Sequence, residues 1–245
     1  MNVGANTDHR QQSPLFEDGS FEFVPIPASS DDGCTFAILR QFNAPDRPLI
    51  DQLQSLNISP TTQIHNDPEF ATFTFGDSPI VKPGLKPMTK GDFLFFLVRL
   101  VPYRNKQYKN QEGIFAFIGF LEIEEVIPLP SDSTIEPLLT SPAFNRNAHV
   151  MRWFKDRVPY DDGYVVYKGS INSRRFRKSI RLDRAFVEDI PLLTAAGAPW
   201  NWETNTELAV INSHTRSARL HIDPNANSEG AARFWSRIFA SQGWS

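Results

Sequence analysis

Two apolar runs parted by a polar, lysine-bearing stretch constrain the fold more than anything else in the chain: residues 90–127 read KGDFLFFLVRLVPYRNKQYKNQEGIFAFIGFLEIEEVI. Residues 93–101 and 114–127 are dense in Phe, Val, Ile and Leu, which suit a pleated, buried surface better than a helix. Both are predicted strands. The segment between them, 103–113, is too long for a two-residue turn and carries Arg104, Lys106 and Lys109, so it projects into water. A long antiparallel hairpin is expected. In its second arm Phe115, Phe117 and Leu121 alternate with Ala116, Ile118 and Phe120, so both faces are apolar until Glu122, Glu124 and Glu125 turn one face outward. A strand buried on both sides of an antiparallel pair belongs to the wall of a small barrel or a covered sheet. Gly119, in mid-strand, marks a bend or a close backbone approach.

The rest of the chain supplies short elements around this hairpin. Strands are expected at 3–6, 21–26 (closed by Pro25 and Pro27), 35–40, 72–75, 164–167 and 208–211, with helical spacing at 49–56, 149–154 and 229–239. Residues 170–178 read as a basic turn and residues 182–193 as mixed structure. Four prolines between 128 and 147 mark a cover, a lid or a sub-boundary within an otherwise single domain spanning 1–245. Many short strands with Pro- and Gly-rich turns and few helices give a β-rich α+β class, built on a barrel or a strongly bent sheet.

With 245 residues, 40% hydrophobic and 22% charged, the chain can bury a core without covalent staples. The lone Cys34 excludes an internal disulfide and a multi-cysteine zinc site. No run of 18 apolar residues and no apolar signal core is present, so a cytoplasmic location without membrane contact is expected. The net charge of −3 hides an uneven distribution: between Arg146 and Arg184 there are 11 basic residues against 4 acidic ones, a local +7. A basic concentration on an otherwise acidic body suits an anionic ligand better than general adhesion to polyanions.

No glycine-rich phosphate loop, HExxH or GxSxG elbow occurs, which lowers the prior on familiar enzyme classes. Candidate acid–base groups are Asp8, His9 and Asp18, although a polar N-terminal loop explains the first two equally well. The aromatic string at 16–23 offers Phe16, Phe21 and Phe23 either as core residues of an edge strand or as rings that stack on a base. Lys168, Ser170, Ser173, Arg174 and Arg175 combine hydroxyls with guanidinium forks, the donor set that holds phosphate oxygens. A solvated basic loop is the plainer reading of the same residues. Asn145 and His149 lie just upstream and are candidates for the same ligand, while Asn145 or Asn147 also suits a helix cap. His65 and Asp67 read as turn residues, and His214, His221 and Asp223 fall short of a full ligand set, so no metal and no cofactor is expected.

The strings VGANTDH, FEDGSFEFVPIP, the GD before the phenylalanine-rich strand, and NAHV followed by VVYKGSINSRRF resemble the nucleotide-modification-associated domains, the third such group being the nearest. The two hairpin strands also resemble the core of PUA-like folds of the EVE and ASCH kind. The first resemblance implies a setting among DNA-modification and phage-defence genes, and the second a bent sheet or small barrel with peripheral helices that reads RNA or holds a modified base. Neither implies catalytic residues. Three functions follow as expectations: a module that binds a nucleotide, or nucleic acid (DNA before RNA), through a modified or unmodified base; an enzyme that modifies a nucleotide or DNA base; or a structural subunit of a defence complex, with Trp200, Trp202, Trp235 and Trp244 as its protein-contacting aromatics.

Overall fold

The computed structural model describes residue 3 and residues 12–28, 33–42, 44–52, 58–78, 85, 87–108, 113–129, 136–156, 163–190, 192–193, 198–199 and 222–244. Asp8, His9, Trp200, Trp202, His214, His221, the expected strand at 208–211 and most of the one at 3–6 lie outside them.

The expected hairpin forms. Strand β5 (Phe93–Arg104) pairs antiparallel with β7 (Ile114–Pro128), and Phe93 stands opposite Glu122 while Leu100 stands opposite Ile114. Residues 115–121 of β7 are buried without interruption, as the two-faced apolar pattern requires. Before the hairpin lie β1 (Ser13–Leu15), β2 (Ile26–Pro27), a short helix α1 (Leu49–Gln52), β3 (Ile64–His65) and β4 (Thr74–Asp77), and β6 (Gln107–Tyr108) folds back on the end of β5. After it come helices α2 (Glu136–Thr140) and α3 (Ala148–Asp156), strands β8 (Val165–Gly169) and β9 (Arg174–Arg181), and helices α4 (Arg184–Asp189) and α5 (Ser228–Gln242).

The architecture is β-rich α+β, a strongly curled half-barrel sheet with few helices. The sheet runs β1-β5-β7-β8-β4, with β6 on β5 and β9 on β7, while β2 and β3 pair separately. β7 organises it: β5 lies along residues 114–122, β9 pairs with 116–120 and β8 with 123–128. Its ladders carry three register shifts, at Phe96/Leu97, Phe117/Gly119 and Ile123/Glu125, and bulges of this kind increase twist and bend the strand. At Gly119 the partner backbone comes so close that an added Cβ would lie 2.5 Å from the Arg174 carbonyl oxygen and 3.1 Å from the Arg175 Cα. The glycine is required there by approach, as expected.

A phenylalanine-rich core packs on both faces of the hairpin: the Phe96 ring meets Phe70 and Phe75, while α5 packs through Phe234 against Phe95 and Phe117. That helix starts where the Asn227 side chain accepts from the Gly230 N–H, and it ends at Gly243, whose φ of 66° supplies the left-handed cap. Gln242 near its end accepts from Arg177 N–H at 2.7 Å and donates to the Lys178 carbonyl at 2.7 Å, fastening α5 to β9.

Three local expectations change. Residues 170–178 are a turn only as far as Ser173; from Arg174 onward they are β9, because Phe176 and Ile180 are buried against the sheet while Arg174, Arg177, Lys178 and Arg181 face water. Residues 35–40 contain a 3-10 turn (Phe36–Ile38) flanked by single bridges at Thr35 and Arg40. The strand expected over 21–26 reduces to bridges at Ser20 and Phe21 and the two-residue β2, since Pro25 and Pro27 have no N–H to extend a ladder.

Candidate functional site

Glu122 leaves the apolar part of β7 at the point where the β8–β9 turn crosses it. The turn is held to that one residue by main chain and side chain together: the Ser170 N–H donates to the Glu122 carbonyl at 2.8 Å, and the Glu122 N–H donates to Ser173 Oγ at 3.1 Å. Ser170 Oγ and Asn172 Nδ2 both donate to the Glu122 carboxylate, the latter at 2.8 Å. Ser170 most, and Asn172 next, therefore hold this carboxyl below the usual range, with slight desolvation opposing them. Gly169 makes the packing feasible, because a Cβ there would lie 2.2 Å from Ser173 Oγ. Arg174, next in the chain, donates from Nη1 to the carbonyls of Ile171 and Ser173, which fixes its guanidinium at the rim of the turn.

Beside this polar rim stands an aromatic wall. Phe93 and Phe120 come from adjacent strands, and Trp235 from α5 sits against both, with ring centroids 4.9 Å and 5.4 Å away. Phe239, one turn on, lies 6.1 Å from Trp235, and Trp244 lies 6.0 Å from Phe239 because the Gly243 cap returns the Trp244 N–H to the Phe239 carbonyl. Rim and wall enclose an open groove of about 920 Å³ lined by Phe93, Phe120, Trp235, Phe239, Gly243 and Trp244 on one side and Glu122, Asn172 and Arg174 on the other. Phe93 and Phe239 remain 38% and 43% exposed and adjoin Trp235 in one contiguous aromatic surface, the kind of patch that marks an interaction site.

Of the residues singled out in the sequence, Arg174 lines this groove, and Ser170 and Ser173 brace it through Glu122. Lys168 is paired with Glu124 at 3.3 Å. Arg175 points the other way, into the interior, where it meets Glu22 at 2.9 Å under the Phe42 ring. Phe21 and Phe23 are core residues, 1% and 6% exposed, so their rings fill the sheet interior and do not form a groove wall. Phe16 packs edge-on against Tyr103 at 6.0 Å. Asp18 is exposed in a tight turn, where the Ser20 side chain and N–H hold its carboxyl below the usual range. Asn145 is exposed in the turn before α3, and Asn147 is the cap, its Oδ1 accepting from the N–H groups of His149 and Val150.

The α3 cap also places His149 over β4. The Asn147 amide donates to Thr74 Oγ1, and the His149 ring lies on Gly76, where a Cβ would come within 2.4 Å of it. The Gly76 N–H is shared between both oxygens of Asp67, at 3.2 Å and 3.1 Å. His149 Nε2 stands 3.3 Å from Asp67 Oδ2, and His65 Nε2 stands 3.9 Å from the same oxygen. The two imidazoles meet edge to face at 4.8 Å, and Tyr164 covers His149 at 5.2 Å. Reading His65 and Asp67 as turn residues missed this meeting, because β4 and α3 bring His149 to them from more than eighty positions away.

A groove with stackable rings, an ionised carboxylate and a guanidinium suits a planar, polar, anionic guest. No curated protein and no solved structure matches the chain. The model of one family, nucleotide modification associated domain 3, matches residues 1–234. That match takes in the hairpin and the β8–β9 turn and stops within the first half of α5, before Trp235, Phe239 and Trp244, and the chain belongs to the nucleotide modification associated domain 3 family.

Proposed function

We propose that the protein binds a nucleotide, free or within a DNA strand, by stacking its base on the exposed aromatic wall of the groove. The single observation that carries this reading is the convergence of Phe93, Phe239 and Trp244 with Glu122, Asn172 and Arg174 around one groove. Base–aromatic stacking contributes about 1–3 kcal/mol per base and works for any base, modified or not. Glu122 supplies discrimination. A carboxylate has about four acceptor positions, of which Ser170 and Asn172 occupy two, and the others suit adjacent N–H donors such as those on the Watson–Crick edge of guanine. Arg174 supplies the contact to phosphate. Membership of a family associated with nucleotide modification supports a nucleotide as the guest.

An enzymatic reading would rest on Asp18, which faces water and is held ionised by Ser20, and on Asp8 and His9, which lie outside the described residues. Binding is the reading adopted, because the groups that line the groove are stacking rings, a carboxylate and a guanidinium. Titrating nucleoside monophosphates and short oligonucleotides, deoxy and ribo, against tryptophan fluorescence tests it. Saturable quenching is expected, weakened roughly 5–150-fold in Phe239→Ala and also weakened in Arg174→Ala, with unchanged thermal stability in both. Equal quenching in all three proteins, or none in any, would overturn the reading.

A further inference from the structure

We propose that His65, Asp67 and His149 form a site for one divalent first-row transition-metal ion of the zinc or iron(II) class. Two imidazole nitrogens and one carboxylate oxygen make a donor set suited to these ions and unsuited to calcium or magnesium, which take oxygen ligands. One separation already fits and the others are near it. An ion held tetrahedrally at about 2.0–2.1 Å places its ligands about 3.3 Å apart, and Nε2 of His149 and Nε2 of His65 stand 3.3 Å and 3.9 Å from Asp67 Oδ2. The three ligand atoms all lie within 4.8 Å of one another, so a movement of about an ångström by the His65 ring closes the set around an ion.

The neighbourhood is built to hold the ligands still. Asp67 is fixed by the Gly76 N–H, and His149 is seated where Gly76 has no side chain and is covered by Tyr164. Outer contacts of this sort orient ligands and govern affinity. The Asp67 side chain is 2% and that of His149 7% exposed, so these two donors sit away from bulk water. His65, at 16%, is the member through which solvent reaches the cluster. Among the described residues the site has three protein donors, the number used where a further position serves water or substrate. None of these residues lines the aromatic groove, so this inference stands or falls separately from the nucleotide reading.

The test uses the full chain, stripped with a chelator and then titrated with Co2+ and Zn2+. Visible absorption of bound Co2+ reports the ligand geometry, and elemental analysis after desalting reports the stoichiometry. About one ion per chain is expected, with a thermal stability that rises with free metal. His65→Phe keeps the edge-to-face ring contact without a donor nitrogen, and Asp67→Asn keeps an acceptor for Gly76. Both are expected to weaken binding by about 100-fold or more, since even outer-shell substitutions cost 10–100-fold. A variant with His9, His214 and His221 replaced by Ala is expected to keep the ion. Far-UV circular dichroism of the metal-free variants separates lost ligation from lost fold. Binding that survives His65→Phe, that disappears with the other three histidines, or that never exceeds the level of His65→Phe overturns the proposal.

Discussion

Arg175 carries its guanidinium among aromatic rings, 4.1 Å from the centre of Phe42 and under 6 Å from those of Phe21 and Phe70, and meets Glu22 at 2.9 Å. Burial pulls its pKa below the ordinary arginine value and Glu22 opposes that pull, yet an arginine so placed keeps its proton. Glu22 is fixed in turn by the Phe42 N–H, which donates to both carboxylate oxygens. Removing one partner leaves the other charged in the interior. Glu22→Gln is expected to destabilise the fold by about 3–5 kcal/mol, and replacing both partners by apolar residues of similar volume to cost much less, as urea denaturation would measure. Equal losses in the single and double variants would contradict the pairing. A milder effect belongs to Glu122. Its folded pKa lies below the ordinary value, so the bonds from Ser170 and Asn172 contribute in full above the unfolded glutamate pKa of about 4.5 and fade as pH falls through the folded one. Affinity for an oligonucleotide, whose phosphodiesters stay ionised, is expected to be flat near neutrality and to drop as pH falls through the folded Glu122 value, below the ordinary 4.5, and Glu122→Gln to lose that acid limb.

At the scale of elements, the central hairpin was legible because β5 and β7 have a strand's residue types over more than ten positions, and Gly119 because a glycine inside such a run has few other uses. β9 was not legible. Its sequence RRFRKSIR buries Phe176 and Ile180 as its apolar residues, with the exposed Lys178 between them, and turns Arg175 inward on the other face, so the alternation is masked by charge and the stretch passes for a basic loop. The C-terminal helix showed through Ala232, Trp235 and Phe239 at helical spacing, and its cap residues Asn227 and Gly243 extend it a few residues further at the C-terminal end. Gly119→Ala tests how tightly β7 and β9 meet. The added methyl would press on the Arg174 carbonyl and the Arg175 Cα, both backbone atoms, so about 1–3 kcal/mol is expected to be lost, a fall of roughly 2–10 °C in Tm. An unchanged Tm would mean that the two strands stand further apart.

For the whole molecule, the groove draws on Phe93, residues 120–122 and 172–174, and the C-terminal helix with its cap and Trp244, four stretches that only the curled sheet and the helix across it bring together. The sequence pointed to Arg174 through its local run of cations and to Trp235 and Trp244 as exposed aromatics. It could not show that they share a wall, or that the neighbouring Arg175 turns inward, because adjacent strand residues face opposite sides and the burial of each side depends on distant chain. The cations read as one phosphate site are divided by this fold: Lys168 to a surface pair with Glu124, Arg175 to the core, Arg174 to the groove. No helix among the described residues is long and apolar enough to cross a membrane, and the aromatic wall stays open to water-borne ligands. The most direct test is the indole N–H region of a nitrogen-15 correlation spectrum, where the chain's 5 tryptophans each give a signal. Adding a nucleotide is expected to move the signals of Trp235 and Trp244 while that of Trp153, on α3 and buried in a separate cluster, stays in place. Movement of Trp153 without Trp235 and Trp244, or no movement at saturating nucleotide, would contradict the account.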